Sequence, residues 1–545
     1  MILKKNDLIE LNIENCGLDG SGAGHYEGMT VFVQGAITGE KILVHIIKVK
    51  KTYAIGKIEK ILIASPNRIE SPCKAYNRCG GCSFGHTTYE SEISAKEQHV
   101  KECFKRIGGI ELEFEPTIKA NDIYGYRNKA QFPVSENNGE ISIGFYSPRS
   151  HRVVNCPDCM LQPAEFELIL NCFKKYIEEN HISIYSEENH KGLLRHIYLR
   201  KGTVTGEIMV CPVINGNELP KEKELVGSLV SACDKIKSII INTNTDKTNV
   251  ILGKKCRTIY GNDYITDTLC SLNFRLSPLS FYQVNHNQAE KLYYKAAEYA
   301  ELTGDETVLD LYCGTGTIGL SMANKAKNII GVEIIPEAIE DAKINAENNN
   351  IHNSRFICGD APKAAEILKN EGVKPNVIIL DPPRKGCAKE LLETVNEMNP
   401  DRIVYVSCDP ATLARDCGIL SEMGYVTEKA TAVDLFPRTG HVETVCLLSK
   451  LHEAKRHVNV TVDMDELDVT LAESKTAYEE IKQYVAEHND GMKVSSLYIA
   501  QVKQKHGIIE RENYNKANSE NAKQPQCPKE KEKAIVEALK FFRMI

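Results

Sequence analysis

The chain has 545 residues, 42% hydrophobic and 26% charged, with a formal net charge of −7. This is the composition of an ordinary soluble protein, long enough for roughly three or four domains. The acidic balance excludes a global attraction to nucleic acid, so RNA or DNA contact must rest on local basic patches. The longest apolar runs, such as "IIIN" and "NVIIL", are too short to span a bilayer, and "MILKKNDLIELNIE" holds no apolar leader, so a cytoplasmic protein with no membrane contact is expected. In that setting 19 cysteines point to reduced thiols, metal ligands or catalysis rather than disulfides.

Residues 1–62 alternate apolar and polar over short runs, punctuated by Gly17, Gly20, Gly22, Gly24 and Gly28. Period two with glycine turns predicts a small β-barrel. Lys41, Lys48, Lys50, Lys51, Lys57 and Lys60 cluster on its later strands, as a solvated face or as a surface for phosphates. "ASPNRIESPCKAYNRCGGC" breaks the pattern, and a helix is expected over 90–106. From about 125 to 265 the pattern is that of a mixed, mostly β domain with helices at 163–179 and near 219–234. A helix from 286 then leads into alternating strands and helices, the pattern of a parallel α/β sheet. Past 450, "VDMDELDVTLAESKTAYEEIKQYVAEHNDG" is acidic and helical and "KANSENAKQPQCPKEKEK" has the composition of a linker. The expected domains are therefore 1–62, 63–270, 271–450 and a helical extension, 451–545.

"LDLYCGTGTIGL" places Gly314-x-Gly316-x-x-Gly319 between a strand and a helix, with Glu333 ending the next strand. Glycines let the backbone approach a ligand, and an acid at that position suits ribose hydroxyls. NAD and S-adenosylmethionine both fit so far. "NVIILDPPRKG" then sets Asp381-Pro382-Pro383 at the C-terminal end of a later strand, the edge that lines the ligand crevice of an open α/β sheet. The two prolines stiffen that edge, which suits a methyltransferase holding a planar base better than a dehydrogenase.

"IVYVSCDPATLARD" puts Cys408 at the tip of the next strand, just before a helix. The helix dipole there favours thiolate, which suits a nucleophile. "DLFPRTGHVETV" supplies His441 and Glu443 near a final strand, and a carboxylate in an apolar setting can serve as general base.

Together, "DPPRKG", "IVYVSCDPAT" and "VDLFPRTGHVE" resemble the paired signatures of the RNA uracil-C5 methyltransferases, which make 5-methyluridine in ribosomal and transfer RNA. The resemblance runs to about residue 450. It implies a Rossmann-like class I methyltransferase domain, preceded by an OB-like barrel of the TRAM type and a mixed α+β central domain. It implies that Cys408 adds to C6 of uracil and that Glu443 removes the C5 proton. Gln283 of "SFYQVN", Tyr312, Glu333 and Asp381 match the positions that hold S-adenosylmethionine, and Asp360 is a further candidate, for the adenine edge. Asp409 and Arg438 depart from the usual pattern, where Asn and one of Gln, His or Tyr are commoner; neither supplies the chemistry, so the departures bear on RNA contacts.

Cys73-x5-Cys79-x2-Cys82 is a glycine-rich knot of thiols, and "NCPDCMLQP" offers Cys156 or Cys159 as a fourth. The resemblance to the ribosomal-RNA branch implies a [4Fe–4S] cluster ending on Cys159, with zinc as the alternative. The barrel and the cysteines together favour 23S ribosomal RNA over transfer RNA. A monomer is expected, with the target base extruded toward Cys408 and with Arg127, Arg149 and Arg152 near phosphates.

Overall fold

A computed structural model of the protein describes residues 3–451, 476–489, 492–506 and 527–542. The chain divides into two compact units, Met1–His452 and Glu453–Ile545. Among the described residues no helix is long and apolar enough to cross a membrane.

The first unit opens with a six-stranded sheet in the order Leu8–Asn12, Lys41–Val49, Tyr53–Ile63, Met29–Gln34, Ser21–Tyr26, Asn15–Cys16. The alternation seen in the sequence is the alternation of burial: Ile42, Val44 and Ile46 are buried, while Leu43 and His45 between them are half-buried and Ile47 is exposed. The sheet curls until its ends meet. A Cβ on Gly24 would stand 2.1 Å from the Asn12 carbonyl oxygen, so only glycine permits the closure. Arg68 anchors the exit of this barrel, with Nη2 donating 2.8 Å to the buried Glu40 and 2.7 Å to the Gly35 carbonyl.

The helix Tyr89–Cys103 begins at Thr88, whose hydroxyl caps Ser91 N–H. Its Val100 and Cys103, with Phe104, join the apolar core under the largest sheet. Shortly after it, Glu115–Ile118 becomes an edge strand of that same sheet, parallel to Tyr425–Val433. The central sheet has seven strands, in the order Val153–Asn155, Glu140–Tyr146, Lys129–Asn137, Leu194–Lys201, Ile208–Ile214, Ile236–Thr243, Lys255–Gly261. The helices Ala164–Glu179 and Glu222–Ala232 contribute Phe166, Ile169, Phe173, Leu225 and Leu229 to its core.

The largest sheet has eight strands, in the order Ser354–Cys358, Asn328–Glu333, Thr307–Leu311, Val377–Leu380, Arg402–Ser407, Glu443–Lys450, Tyr425–Val433, Glu115–Ile118. Its first five strands are mutually parallel, and Glu443–Lys450 runs antiparallel to both its neighbours. Val377–Leu380 is buried throughout, as a strand covered on both faces must be. The order reverses at Thr307–Leu311, and open sheets of this kind bind ligands at the C-terminal ends of strands near the reversal.

The second unit contains the helices Thr476–His488, Ser496–Lys505 and Lys529–Phe541, packed through Ile481, Val485, Ile499, Val502, Ile535 and Leu539. Residues 529–533 of the expected linker open the last of these helices, while its residues 516–526, and the part of the acidic stretch before 476, lie outside the described residues.

Candidate active site

The glycine loop follows Thr307–Leu311. Tyr312 takes a left-handed φ of 111°, Gly314 of 54° and Gly316 of 82°, turning the chain back under the helix Thr317–Ser321. Gly319 N–H donates 3.1 Å to Asp310 Oδ2, and a Cβ there would crowd Ile329 at 3.0 Å. Glu333 accepts from Gly314 N–H at 3.2 Å and from Ile335 N–H at 3.0 Å, so the acid and the loop form one rigid rim.

The "DPPRKG" turn is tied to the helix that follows Cys408. Cys387 N–H donates 2.8 Å to Asp416, Arg415 donates 3.1 Å to the Lys385 carbonyl, and Thr412 Oγ1 donates 3.2 Å to the Arg384 carbonyl. Gly386 lies at φ 73°, where a side chain would collide with Asp416 and Arg415. Asp381 and Cys408 are thereby fixed at one sheet edge.

Burial, then the charges of Glu443 and Asp381, push the Cys408 thiol up to about 11, while Arg384 opposes the push. Burial pushes Glu443 up to about 8, with Asp381 adding and Arg384 opposing. Asp381 is raised to about 7 by burial, and Asp310 to about 7 by burial and then by Asp381. The ligand-free site therefore disfavours the thiolate, a correction to the reading from the helix dipole. The reason is that burial and the neighbouring Glu443 and Asp381 outweigh the helix terminus; Asp409, whose carboxylate accepts both Ala411 N–H and Thr412 N–H at 3.0 Å, caps that terminus.

Arg384 Nη2 lies 3.4 Å from His441 Nε2, and burial followed by that cation holds the imidazole below its ordinary value. As proton acceptors the two groups are thus separated: Glu443 is the stronger base and His441 the weaker.

The structure draws Cys408, Glu443, Asp381 and Arg384 into one electrostatic group, with Asp310 and Glu333 continuing along the sheet edge. Gln283 is buried on the segment leading to the helix His286–Ala300, and its carbonyl accepts from Asn128 Nδ2 at 2.9 Å. Among the described residues no hydrogen bond joins it to the other candidate cofactor residues. Tyr312 is half-buried near Cys387 and Asp360. Asp310 was missed from the sequence. Its signal was a lone carboxylate inside the apolar strand "TVLDL", and its Oδ1 is buried without a partner. Two buried carboxylates that make no salt bridge among the described residues suit a positively charged ligand.

Cys73, Cys79, Cys82, Cys156 and Cys159 all line one cavity of ≈ 80 Å³, closed by Tyr76, Arg127 and Phe145. Cys156 is buried and Cys159 half-buried. The Cys156 thiol hydrogen-bonds to Cys159, which raises the first and lowers the second. Among the described residues no three His, Cys, Asp or Glu side chains are gathered as around one metal ion.

Arg438 is buried and bonded within the protein rather than presented to RNA. Asp409 likewise serves as a cap. Arg149 and Arg152 are exposed and Arg127 is half-buried.

The model of the tRNA (uracil-5-)-methyltransferase family matches residues 88–451, and that of the TRAM domain residues 4–58. An uncharacterized RNA methyltransferase of Clostridium tetani is 46% identical over 454 residues, 83% of this chain and 99% of that protein. Another, from Halalkalibacterium halodurans, is 45% identical over 82% of this chain and 98% of its own length. The crystal structure of Pyrococcus abyssi tRNA (uracil-54, C5)-methyltransferase with S-adenosyl-L-homocysteine has a TM-score of 0.65 at 29% identity, covering 81% of this chain and 99% of that one. With the glycine loop, the Asp381 edge and the barrel in place, the chain belongs to the tRNA (uracil-5-)-methyltransferase family, as an S-adenosylmethionine-dependent RNA methyltransferase with an N-terminal TRAM domain.

Proposed function

We propose that this enzyme methylates C5 of uridine in 23S ribosomal RNA through a covalent Cys408 adduct, with Glu443 as the base. The observation that carries the reading is the ladder between Arg402–Ser407 and Glu443–Lys450. It pairs Ser407 with Thr444 and so puts Cys408 opposite Glu443, beside Asp381. Addition of the Cys408 thiolate at C6 makes C5 nucleophilic. After C5 has gained its methyl group, Glu443 takes the C5 proton, and the returning electron pair expels the thiolate. S-adenosylmethionine, when bound, supplies an electrophilic methyl group on a positively charged sulfur. Gln283, Tyr312, Glu333 and Asp381 hold it, and the uncompensated carboxylates of Asp310 and Asp381 favour its charge.

Cys73, Cys79, Cys82 and Cys159 hold a [4Fe–4S] cluster, a crosslink that stiffens the loop and helps grip RNA. Their convergence on one cavity supports this. A single tetrahedral zinc needs its thiolates drawn together at bonds of about 2.3 Å, a tighter grouping than a multi-iron cluster requires. The barrel surface with Lys41, Lys48, Lys50, Lys51, Lys57 and Lys60 contacts phosphates.

The second reading, methylation of transfer RNA, is favoured by the Pyrococcus structure, whose name states a tRNA substrate. Transfer of labelled methyl to 23S fragments and to tRNA, with 5-methyluridine identified in the product, tests both. Label in the ribosomal RNA supports the proposal, and label in tRNA alone replaces it with the second reading. RNA binding without label in either overturns catalysis and leaves an RNA-binding factor.

A further inference from the structure

Arg438 lies in the loop just ahead of Glu443, 4% exposed, with a left-handed φ of 68°. Its backbone and its side chain make separate sets of bonds, all to the stretch that carries the cysteines or to the helix after it. Ser83 N–H and Phe84 N–H donate to its carbonyl at 2.9 and 3.1 Å. Its own N–H donates 2.7 Å to Glu92 Oε1. Its Nη1 donates 3.2 Å to the Phe84 carbonyl and 2.8 Å to the Thr87 carbonyl, and stands 3.6 Å from Glu92 Oε2.

The same helix holds the other end of the loop. Lys96 Nζ is fully buried and donates 2.8 Å to Glu92, 2.7 Å to Asp434 and 3.2 Å to the Phe436 carbonyl. The barrel closes the third side: a Cβ on Gly440 would stand 2.0 Å from the Leu18 carbonyl oxygen, and one on Gly20 2.3 Å from the Ser83 carbonyl oxygen. Only residues 439–442 separate Arg438 from Glu443, so the loop has little slack.

We propose that Arg438 is a positioning residue for the proton-abstraction step: by bonding the Ser83–Thr87 segment, it sets Glu443 at the substrate from the placement of the cysteine loop. The proposal rests on the reading of Glu443 as the base. It assigns the guanidinium to the later half of the reaction and leaves addition of Cys408 alone, because Cys408 is held by a different element, the turn capped by Asp409.

The test uses the full chain with Arg438→Gly and Arg438→Lys. Glycine accepts the left-handed backbone and keeps the backbone bonds while removing the guanidinium. Lysine keeps a cation that can reach one of the two carbonyls. In Arg438→Gly, the adduct with 5-fluorouridine RNA should form at close to the parent rate. Turnover on ordinary RNA should fall by about 10²-fold, the cost of a misplacement of about 1 Å, while KM changes little and a methylated protein–RNA adduct builds up. Arg438→Lys should recover part of the turnover, and it carries the same comparison if the glycine variant does not fold. Hydrogen exchange supplies a readout apart from activity. Amides of Ser83, Phe84 and 439–443 should exchange faster, while those of Arg402–Ser407 do not. Uniformly faster exchange, with adduct formation and turnover falling together, reduces Arg438 to a stability residue and overturns the proposal, as does parent-like turnover in both variants. Glu443→Gln, run alongside, separates the two failures. If it traps methylated adduct and the Arg438 variants do not, the positioning role alone is wrong. If it traps none, the assignment of the base falls, and the positioning role with it.

Discussion

Cys408 stands opposite Glu443 across two antiparallel strands, one step beyond the paired residues Ser407 and Thr444. Facing side chains on such a ladder share one side of the sheet with Cβ atoms about 5 Å apart. The strand ends that carry the two groups are thereby brought together by the ladder, while the segments flanking them, the turn after Ser407 and the loop before Glu443, finish their placement. Their charges also interact, since Glu443 is among the causes that raise the Cys408 thiol.

This arrangement predicts that Glu443→Gln separates the bond-forming steps from release. Addition and methyl transfer need no proton acceptor at C5, so both proceed. Turnover should fall by about 10²–10⁴, the usual worth of a positioned base, while RNA binding changes little. A denaturing gel with labelled methyl donor should show a protein-linked RNA band absent from the parent under turnover. Parent-like turnover with no trapped band would move the role to His441, despite its weaker basicity.

The raised carboxylates give a signed dependence on pH. Glu443 is held at about 8 rather than 4.5, because its charged form is disfavoured by burial. The folded protein therefore binds this proton more tightly than the unfolded chain does. The stabilisation is fully present below the ordinary carboxylate value and is lost as pH rises through about 8. Melting temperatures of Glu443→Gln should gain on the parent as pH passes from acid to about 8. Turnover should run the other way, rising with pH as the base ionises. A melting difference that is flat in pH would show that Glu443 ionises at its ordinary value.

Asp409→Ala tests the cap. Loss of the bonds to Ala411 and Thr412 should cost about 1 kcal/mol of stability. With the helix terminus freed, the Cys408 thiol should react faster with iodoacetamide at neutral pH. Asp409→Asn keeps the cap and should lose little stability. Equal melting temperatures for the alanine and asparagine variants would contradict the capping role.

For the thiol cavity, anaerobically purified protein should be brown and carry iron and sulfide at about four each per chain. Cys79→Ser should bleach it while S-adenosyl-L-homocysteine still binds, as the glycine loop belongs to a separate part of the unit. Colourless protein holding one zinc would overturn the cluster.

The parts of this site that were legible in the sequence are those whose chemistry is local. The glycine loop, Asp381 and Cys408 each follow a short apolar strand directly, so strand ends and sheet edge could be read together. Burial alternation made the barrel legible in the same way, through Ile42, Val44 and Ile46. What escaped depends on distant pairings. Lys96 meets Asp434 across 338 positions, and Arg438 meets Thr87 across 351, so no local pattern announces either. Glu115–Ile118 is a short run with no period of its own, and its place beside Tyr425–Val433 comes from the edge it completes. The thiol's environment also escaped. A helix N-terminus predicts a lowered thiol, but burial and the charges of Glu443 and Asp381, which the fold brings in from other strands, outweigh it.

The central claim is that Cys408 becomes covalently bonded to the target uridine. Fluorine at C5 blocks removal of the proton that permits release, so RNA carrying 5-fluorouridine at the target position should leave the enzyme stalled. Parent protein, this RNA and S-adenosylmethionine should give an adduct stable to denaturing electrophoresis, with the crosslink mapped by mass spectrometry to the peptide containing Cys408. Cys408→Ala should bind the RNA, form no adduct and transfer no methyl group to ordinary RNA. An adduct mapped to another cysteine, or methyl transfer by Cys408→Ala at a rate comparable to the parent, would contradict the account.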